Sequence, residues 1–269
     1  MADWLERFLA SQPGSVARHT LPDGRTVWAK RAGPRHGPWR YRVLGALAWL
    51  LRADALRPVP NPGGQAAIAT EARRLRDLAG RGLRVPAVLA ESPQGLLLED
   101  LSPPGAPGRS LGDELGDAWP QGPQALLPPW RDGLEAIARV HGRGTCLSQA
   151  FARNLVRLAE GGIGFIDFED DPLASLSLSE AQARDWLSYL HATALAVHEA
   201  GASAAAAQAL RDTLDREPPA VRAALERSAR RMHWLGRLPD SRRWGRDLQR
   251  TGAAARLLAD ALGTAAGKV

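Results

Sequence analysis

The chain has 269 residues, 45% hydrophobic and 24% charged, which fits one large soluble domain or two lobes able to bury a real core. A single cysteine, Cys146, excludes an internal disulfide and a cysteine-based zinc cluster; it suits a reducing cytoplasm and reads as a small buried apolar residue. The formal net charge of +6 would suit nucleic acid or an anionic membrane, but arginine pervades the whole chain, so the excess reads as compositional drift.

The start, M-A-D-W-L-E-R, has no basic region ahead of an apolar core, so no secretory signal is expected. The longest apolar run, residues 43–51, is far short of the roughly 20 residues a spanning helix needs, and a soluble or peripheral protein is expected. The compositional bias makes its exceptions informative. Of 35 basic residues only Lys30 and Lys268 are lysines, and the asparagines are Asn61 and Asn154 alone. Where arginine is the default cation, a lone internal lysine points to a need for a compact ammonium.

In chain order, residues 4–10 read as a short helix with Leu5, Phe8 and Leu9 on one side. Strands at 15–21 and 25–31 follow, joined by the turn Pro22-Asp23-Gly24, with Lys30 in the second strand. No Gly-rich phosphate loop precedes that lysine. Residues 39–52 read as a Trp/Arg helix with an apolar face and basic flanks, a pattern that suits packing on a neighbouring lobe or contact with the inner membrane surface. The Pro/Gly-rich stretch at 57–64 ends it. A strong helix spans 66–81, with Ile68, Leu75 and Leu78 apolar and Glu71 to Asp77 on the charged side.

Two more strands, 83–90 and 95–101, lead to a proline-rich crossover at 102–108, read as the boundary between a lobe at 1–101 and a helical lobe at 102–269. Helices are expected at 111–118 and 129–141. Beyond Pro172 the chain reads as helix with short breaks, at 179–200, 203–216, 220–235 and 241–262, with Ser177 and Ser179 as candidate N-caps. His191, His198 and His233 lie on these helices and read as structural.

The stretch 139–172 carries the chemistry. A loop leads to Asn154, a strand at 155–157 turns at Gly161-Gly162, and a second strand at 163–166 delivers Asp167. An amide at the head of one strand and a carboxylate at the foot of its partner suit Mg²⁺, which takes hard oxygen donors and leaves other positions to water and phosphate. The same pattern also fits a plain surface hairpin with an acidic turn at Glu169-Asp170-Asp171.

The order of these pieces resembles the protein-kinase-like fold, in particular its bacterial small-molecule branch: lipopolysaccharide core (heptose and Kdo) kinases, Bud32-type atypical kinases and aminoglycoside phosphotransferases. The resemblance covers residues 15–172 and implies an α+β, bilobal architecture, with a small N-terminal antiparallel sheet plus helices and a larger, mostly helical C-terminal lobe carrying the catalytic-type loop 141–172. It implies that Lys30 holds ATP phosphates and that Glu71 pairs with it. Glu99 and Leu101 lie in the hinge segment that receives adenine, and Asn154 and Asp167 bind Mg²⁺, with Asp167-Phe168-Glu169 as the D-F-G equivalent.

One departure stands out. The position of the catalytic base, five residues before Asn154, is Gln149, which takes no proton at ordinary pH. Glu169, Asp170 and Asp100 are carboxylates that could substitute. Two functions follow: an ATP- and Mg²⁺-dependent phosphotransferase acting on a hydroxyl of a small molecule, glycolipid, lipopolysaccharide core sugar or protein Ser/Thr at the cytoplasmic face of the membrane, or a pseudokinase or nucleotide-binding scaffold. Nucleic-acid binding through the basic surface, which would be steeply salt-dependent, ranks behind both.

Overall fold

The computed structural model describes residues 1–34, 59, 61, 63–103, 105, 108–237 and 245–264; the Trp/Arg segment at 39–52 and Lys268 lie outside the described residues. Helix α1 (Ala2–Ser11) precedes a hairpin of β1 (Val16–Thr20) and β2 (Thr26–Arg31). The turn closes because Gly24 takes φ 83°, a conformation that side chains disfavour, and Asp23 accepts from the Arg25 amide. With β3 (Val88–Ser92) and β4 (Gly95–Glu99) the strands form an antiparallel sheet of order β1-β2-β4-β3. Gly95 sits where an added Cβ would collide with the Lys30 carbonyl, so glycine is what lets β4 close on β2.

Alternation along β2 sends Val27 and Ala29 to one face, where Leu5 and Leu9 of α1 cover them. Trp28 and Lys30 point to the other. Helix α2 (Gly64–Gly80) packs on that second side, its Ile68, Ala72, Leu75 and Leu78 joining Leu96 and Leu98 in one cluster. The expected charged side of this helix is interrupted: Glu71 and Arg74 are 1% and 6% exposed, because each is satisfied by another element.

The strand expected at 83–90 begins only at Val88. Pro86 has no N–H to give a ladder, and a bulge between Val88 and Ala90 shifts the register. Its partner, expected to reach 101, ends at Glu99.

Helix α3 (Leu111–Ala118) matches its expected span and opens with a capping box between Ser110 and Asp113. Helix α4 (Pro123–Gly142) starts well before the expected residue 129, with Pro128 and Pro129 inside it. Two proline ring nitrogens remove backbone donors there, yet the helix persists because Leu126 and Trp130, both fully buried, need helical spacing to reach the core.

Helix α5 (Leu178–Glu199) is capped by Ser177, whose side chain accepts from Glu180 N–H. Trp186, Tyr189 and Leu190 place its buried face at the centre of the helical body. Helices α6 (Ser203–Leu214), α7 (Pro219–Met232) and α8 (Arg246–Ala261) complete the fold. The helix expected at 220–235 stops at Met232 and continues as a 3₁₀ turn, His233–Arg237; the start of the one expected at 241–262 lies outside the described residues.

The architecture is α+β: a small antiparallel sheet with helices against it, followed by a mostly helical body. One hydrophobic cluster runs from Ile68 and Leu96 through Trp130 and Trp186 to Leu258, so the sheet side and the helical side share a core. Among the described residues no helix is long and apolar enough to cross a membrane.

Candidate active site

The central hairpin consists of β5 (Leu155–Arg157) and β6 (Ile163–Phe165), with Gly161 and Gly162 both at positive φ in the turn. Ile166 N–H donates to the Asn154 carbonyl at 3.0 Å, which sets the head of one strand beside the foot of the other. Asp167 then takes φ 71°, a left-handed conformation that aspartate tolerates better than most residues, and this turns the chain off the β6 line.

Across from it stands Lys30. Its Nζ lies 2.7 Å from Glu71 Oε2, 2.8 Å from Glu169 Oε1 and 3.3 Å from Asp167 Oδ1. Burial works to lower the pKa of the ammonium, but the three carboxylates outweigh it and hold the pKa above the ordinary lysine value. Burial pushes the Glu71 carboxyl up, and Lys30 offsets that only in part. Glu71 also accepts from the Phe168 amide, at 3.4 Å. Lys30, Glu71 and Asp167, which come from β2, α2 and the end of β6, are therefore brought together.

Asn154 is buried, and its amide nitrogen donates to the Gln149 carbonyl at 3.1 Å. That contact fixes the nitrogen inward and leaves Oδ1 as the end able to face a cation. Among the described residues no group of three or more His, Cys, Asp or Glu could hold a metal. One carboxylate from Asp167 and one amide oxygen from Asn154 suit a Mg²⁺ that keeps water and phosphate in its remaining positions, not a cage made wholly by protein.

These groups border a cleft of about 540 Å³ whose apolar walls include Val16, Trp28, Leu98, Leu101, Val156 and Ile166. Glu99 lines it too, but its carboxylate turns away to Arg84, at 2.7 and 2.8 Å, and that hydrogen bonding holds it below the usual carboxylate range.

Gln149 is not among the residues lining the cleft. Its Nε2 donates to Asp170 Oδ2 at 3.2 Å. The carboxylates considered as substitutes for it separate clearly. Asp100 is tied to Arg18 and to the amide and hydroxyl of Ser102. Glu169 holds Lys30. Asp170 lies buried beneath the loop, accepting from both Ser148 Oγ and Gln149.

A second buried cluster braces this loop, and the sequence reading missed it. His141 Nδ1 lies 2.7 Å from Glu217 Oε1 and Nε2 lies 3.2 Å from Asp185 Oδ2. Asp185 accepts in turn from the amides of Leu147, at 2.6 Å, and Ser148, at 2.8 Å. Burial opposes protonation of the imidazole, but hydrogen bonds to Asp185 and Glu217 raise its pKa to about 9, so both ring nitrogens donate at neutral pH. Ser148, at φ 84°, marks where this bracing bends the backbone.

No described protein family matches the sequence, and no curated protein does. Among solved structures, the chain is similar to a MAP kinase from Leishmania major. The two are 13% identical with a TM-score of 0.40, over 94% of this chain and 80% of that one.

Proposed function

We propose that the chain is a kinase-like, ATP- and Mg²⁺-dependent phosphotransferase acting on a hydroxyl of a small molecule, a glycolipid or a lipopolysaccharide core sugar. The observation that carries this reading is the meeting of Lys30 with Glu71 and Asp167 at the border of a cleft that is otherwise largely apolar.

In this reading Trp28, Leu98, Leu101 and Val156 sandwich the base, and the backbone from Glu99 to Leu101 faces its polar edge. Lys30 holds phosphate oxygens while Glu71 fixes the ammonium. Asp167 and Glu169, whose side chains are 36% and 38% exposed, can turn away from Lys30 when phosphate arrives; Glu71, at 2%, cannot. Asn154 and Asp167 would hold Mg²⁺, which neutralises charge on the transferred phosphoryl group. The β1–β2 connection is the short Pro22-Asp23-Gly24 turn and no Gly-rich loop precedes Lys30, so in this reading positioning falls more heavily on Lys30 and the metal site.

Gln149 favours a second reading, a nucleotide-binding scaffold with little turnover. Its amide cannot accept the acceptor's proton, and loss of a general base lowers turnover by about 10²- to 10⁴-fold. The two separate by ADP release from Mg·ATP across amino sugars, a lipopolysaccharide core preparation and a Ser-containing peptide. Release by the wild type that disappears in Asp167→Ala supports the enzyme. Mg·ATP binding without turnover, together with activity gained in Gln149→Asp, supports the scaffold. Absence of Mg·ATP binding removes both.

A further inference from the structure

Arg74 stands one helical turn from Glu71, on the same buried face of α2. Its Nη1 donates to the carbonyls of Leu147 at 3.1 Å and Asp170 at 3.0 Å, and its Nη2 to the carbonyl of Cys146 at 2.6 Å. The guanidinium carbon lies 5.2 Å from the centre of the Phe168 ring. Among the described residues its partners are carbonyls and a ring, not carboxylates. A buried cation satisfied this way is stable only while every carbonyl stays in place, since a donor left unmet in the interior is expensive.

We propose that Arg74 is a positioning residue that locks α2 to the 146–148 loop and to the segment after Asp167, so that Glu71 is aligned with Lys30 before nucleotide arrives. This rests on the phosphotransferase reading and deepens it by naming what sets the geometry of its phosphate-holding pair. Glu71 joins α2 to the sheet through Lys30 and to Phe168 through its amide. Arg74 joins the same helix to two loops of the helical body. The helix is thus fixed on both sides of the cleft, and a shift that broke the Lys30 pair would also strand the guanidinium. The exposed pair of Arg73 with Asp171, at 3.0 Å, contributes little beside it.

The chemistry calls for arginine specifically. Carbonyls from two separate segments are reached by two nitrogens of one rigid fork; a lysine ammonium presents its donors from a single atom and cannot span them. Arg74→Lys, which keeps the charge, is therefore expected to behave like Arg74→Met.

The test combines hydrogen exchange without nucleotide and Mg·ATP affinity, in the wild type, Arg74→Met and Arg74→Lys. Loss of these hydrogen bonds should speed amide exchange at 64–80 and 146–148 by about tenfold or more in both variants, with β1 to β4 unchanged, and weaken Mg·ATP by about tenfold. In the wild-type background Glu71→Gln should weaken Mg·ATP binding; added to Arg74→Met it should weaken it little further, because the pair is already misaligned. Arg74→Gln, which keeps one amide donor, replaces the methionine variant if that one does not fold. Unchanged exchange in α2, full function in Arg74→Lys, or additive effects of the two substitutions would overturn the proposal. A wild type whose exchange responds to Arg74 as described but which binds no Mg·ATP overturns the phosphotransferase reading and leaves the mechanical link standing.

Discussion

Replacing Lys30 with methionine isolates the electrostatics of the site without any ligand. The substitution keeps the apolar stem and removes the one charge shared by Glu71, Asp167 and Glu169. Asp167 and Glu169 are more than a third exposed and can turn to water. Glu71, 2% exposed, has nowhere to go. Breaking a buried ion pair by removing one partner costs about 3–5 kcal/mol, and with only one carboxylate stranded the lower figure, about 3 kcal/mol near pH 8, applies. Burial already raises the Glu71 pKa, and loss of Lys30 raises it further, so the deficit is full above that value and shrinks as pH falls through it. At an acid pH where the carboxyl is protonated, the residual loss should be about 1 kcal/mol. Urea unfolding followed by far-UV circular dichroism at the two pH values measures both figures. An equal loss at both, or a loss under about 0.5 kcal/mol near pH 8, would refute this account of the pair.

Two further outcomes follow from the body of the fold. The His141 pKa rises from 6.5 to about 9, so its contribution to stability is full below the unfolded value and fades as pH climbs through 9; the rise corresponds to about 3 kcal/mol. His141→Gln should remove that share of the stability lost between neutral pH and about pH 10, and a variant that declines as steeply as the wild type contradicts the assignment. In Gly133→Ala the new methyl would collide with the Tyr189 hydroxyl and crowd a Leu111 methyl at 2.8 Å, so overpacking should cost about 1–3 kcal/mol despite alanine's better helix propensity. A higher melting temperature in that variant would show that α4 is not pressed against α5 as described.

Two parts of the site were legible through rare residue types, while Glu71 and Asp167, common types, were legible only through the order of the elements around them. Lys30 and Asn154 stood out because arginine is the default cation and asparagine scarce, and strand patterning placed them on β2 and at the head of β5. Arg74 had no such contrast. One arginine among many on a helix reads as solvated, and only the carbonyls of loops more than 70 residues away reveal its burial. His141 was hidden similarly, with Glu217 76 residues away and no local pattern joining them. The early start of α4 was obscured by Pro128 and Pro129, breaker signals overridden by the burial of Leu126 and Trp130. Gln149 was visible as a departure, but that its amide faces Asp170 goes with the Ser148 bend, which is held by the distant Asp185 and has no local sequence signal.

The central claim is that Lys30 and Asp167 are arranged to receive a nucleotide bound with Mg²⁺. Thermal unfolding of the wild type and Asp167→Ala, each with ATP alone and with ATP plus Mg²⁺, tests it most directly. At a ligand concentration of about 100 times Kd, binding to the folded state adds about 2.7 kcal/mol, which should appear as a higher melting temperature in the wild type with Mg·ATP and be largely lost in Asp167→Ala. A wild type whose melting temperature does not respond to Mg·ATP, or responds equally in Asp167→Ala, would contradict the claim.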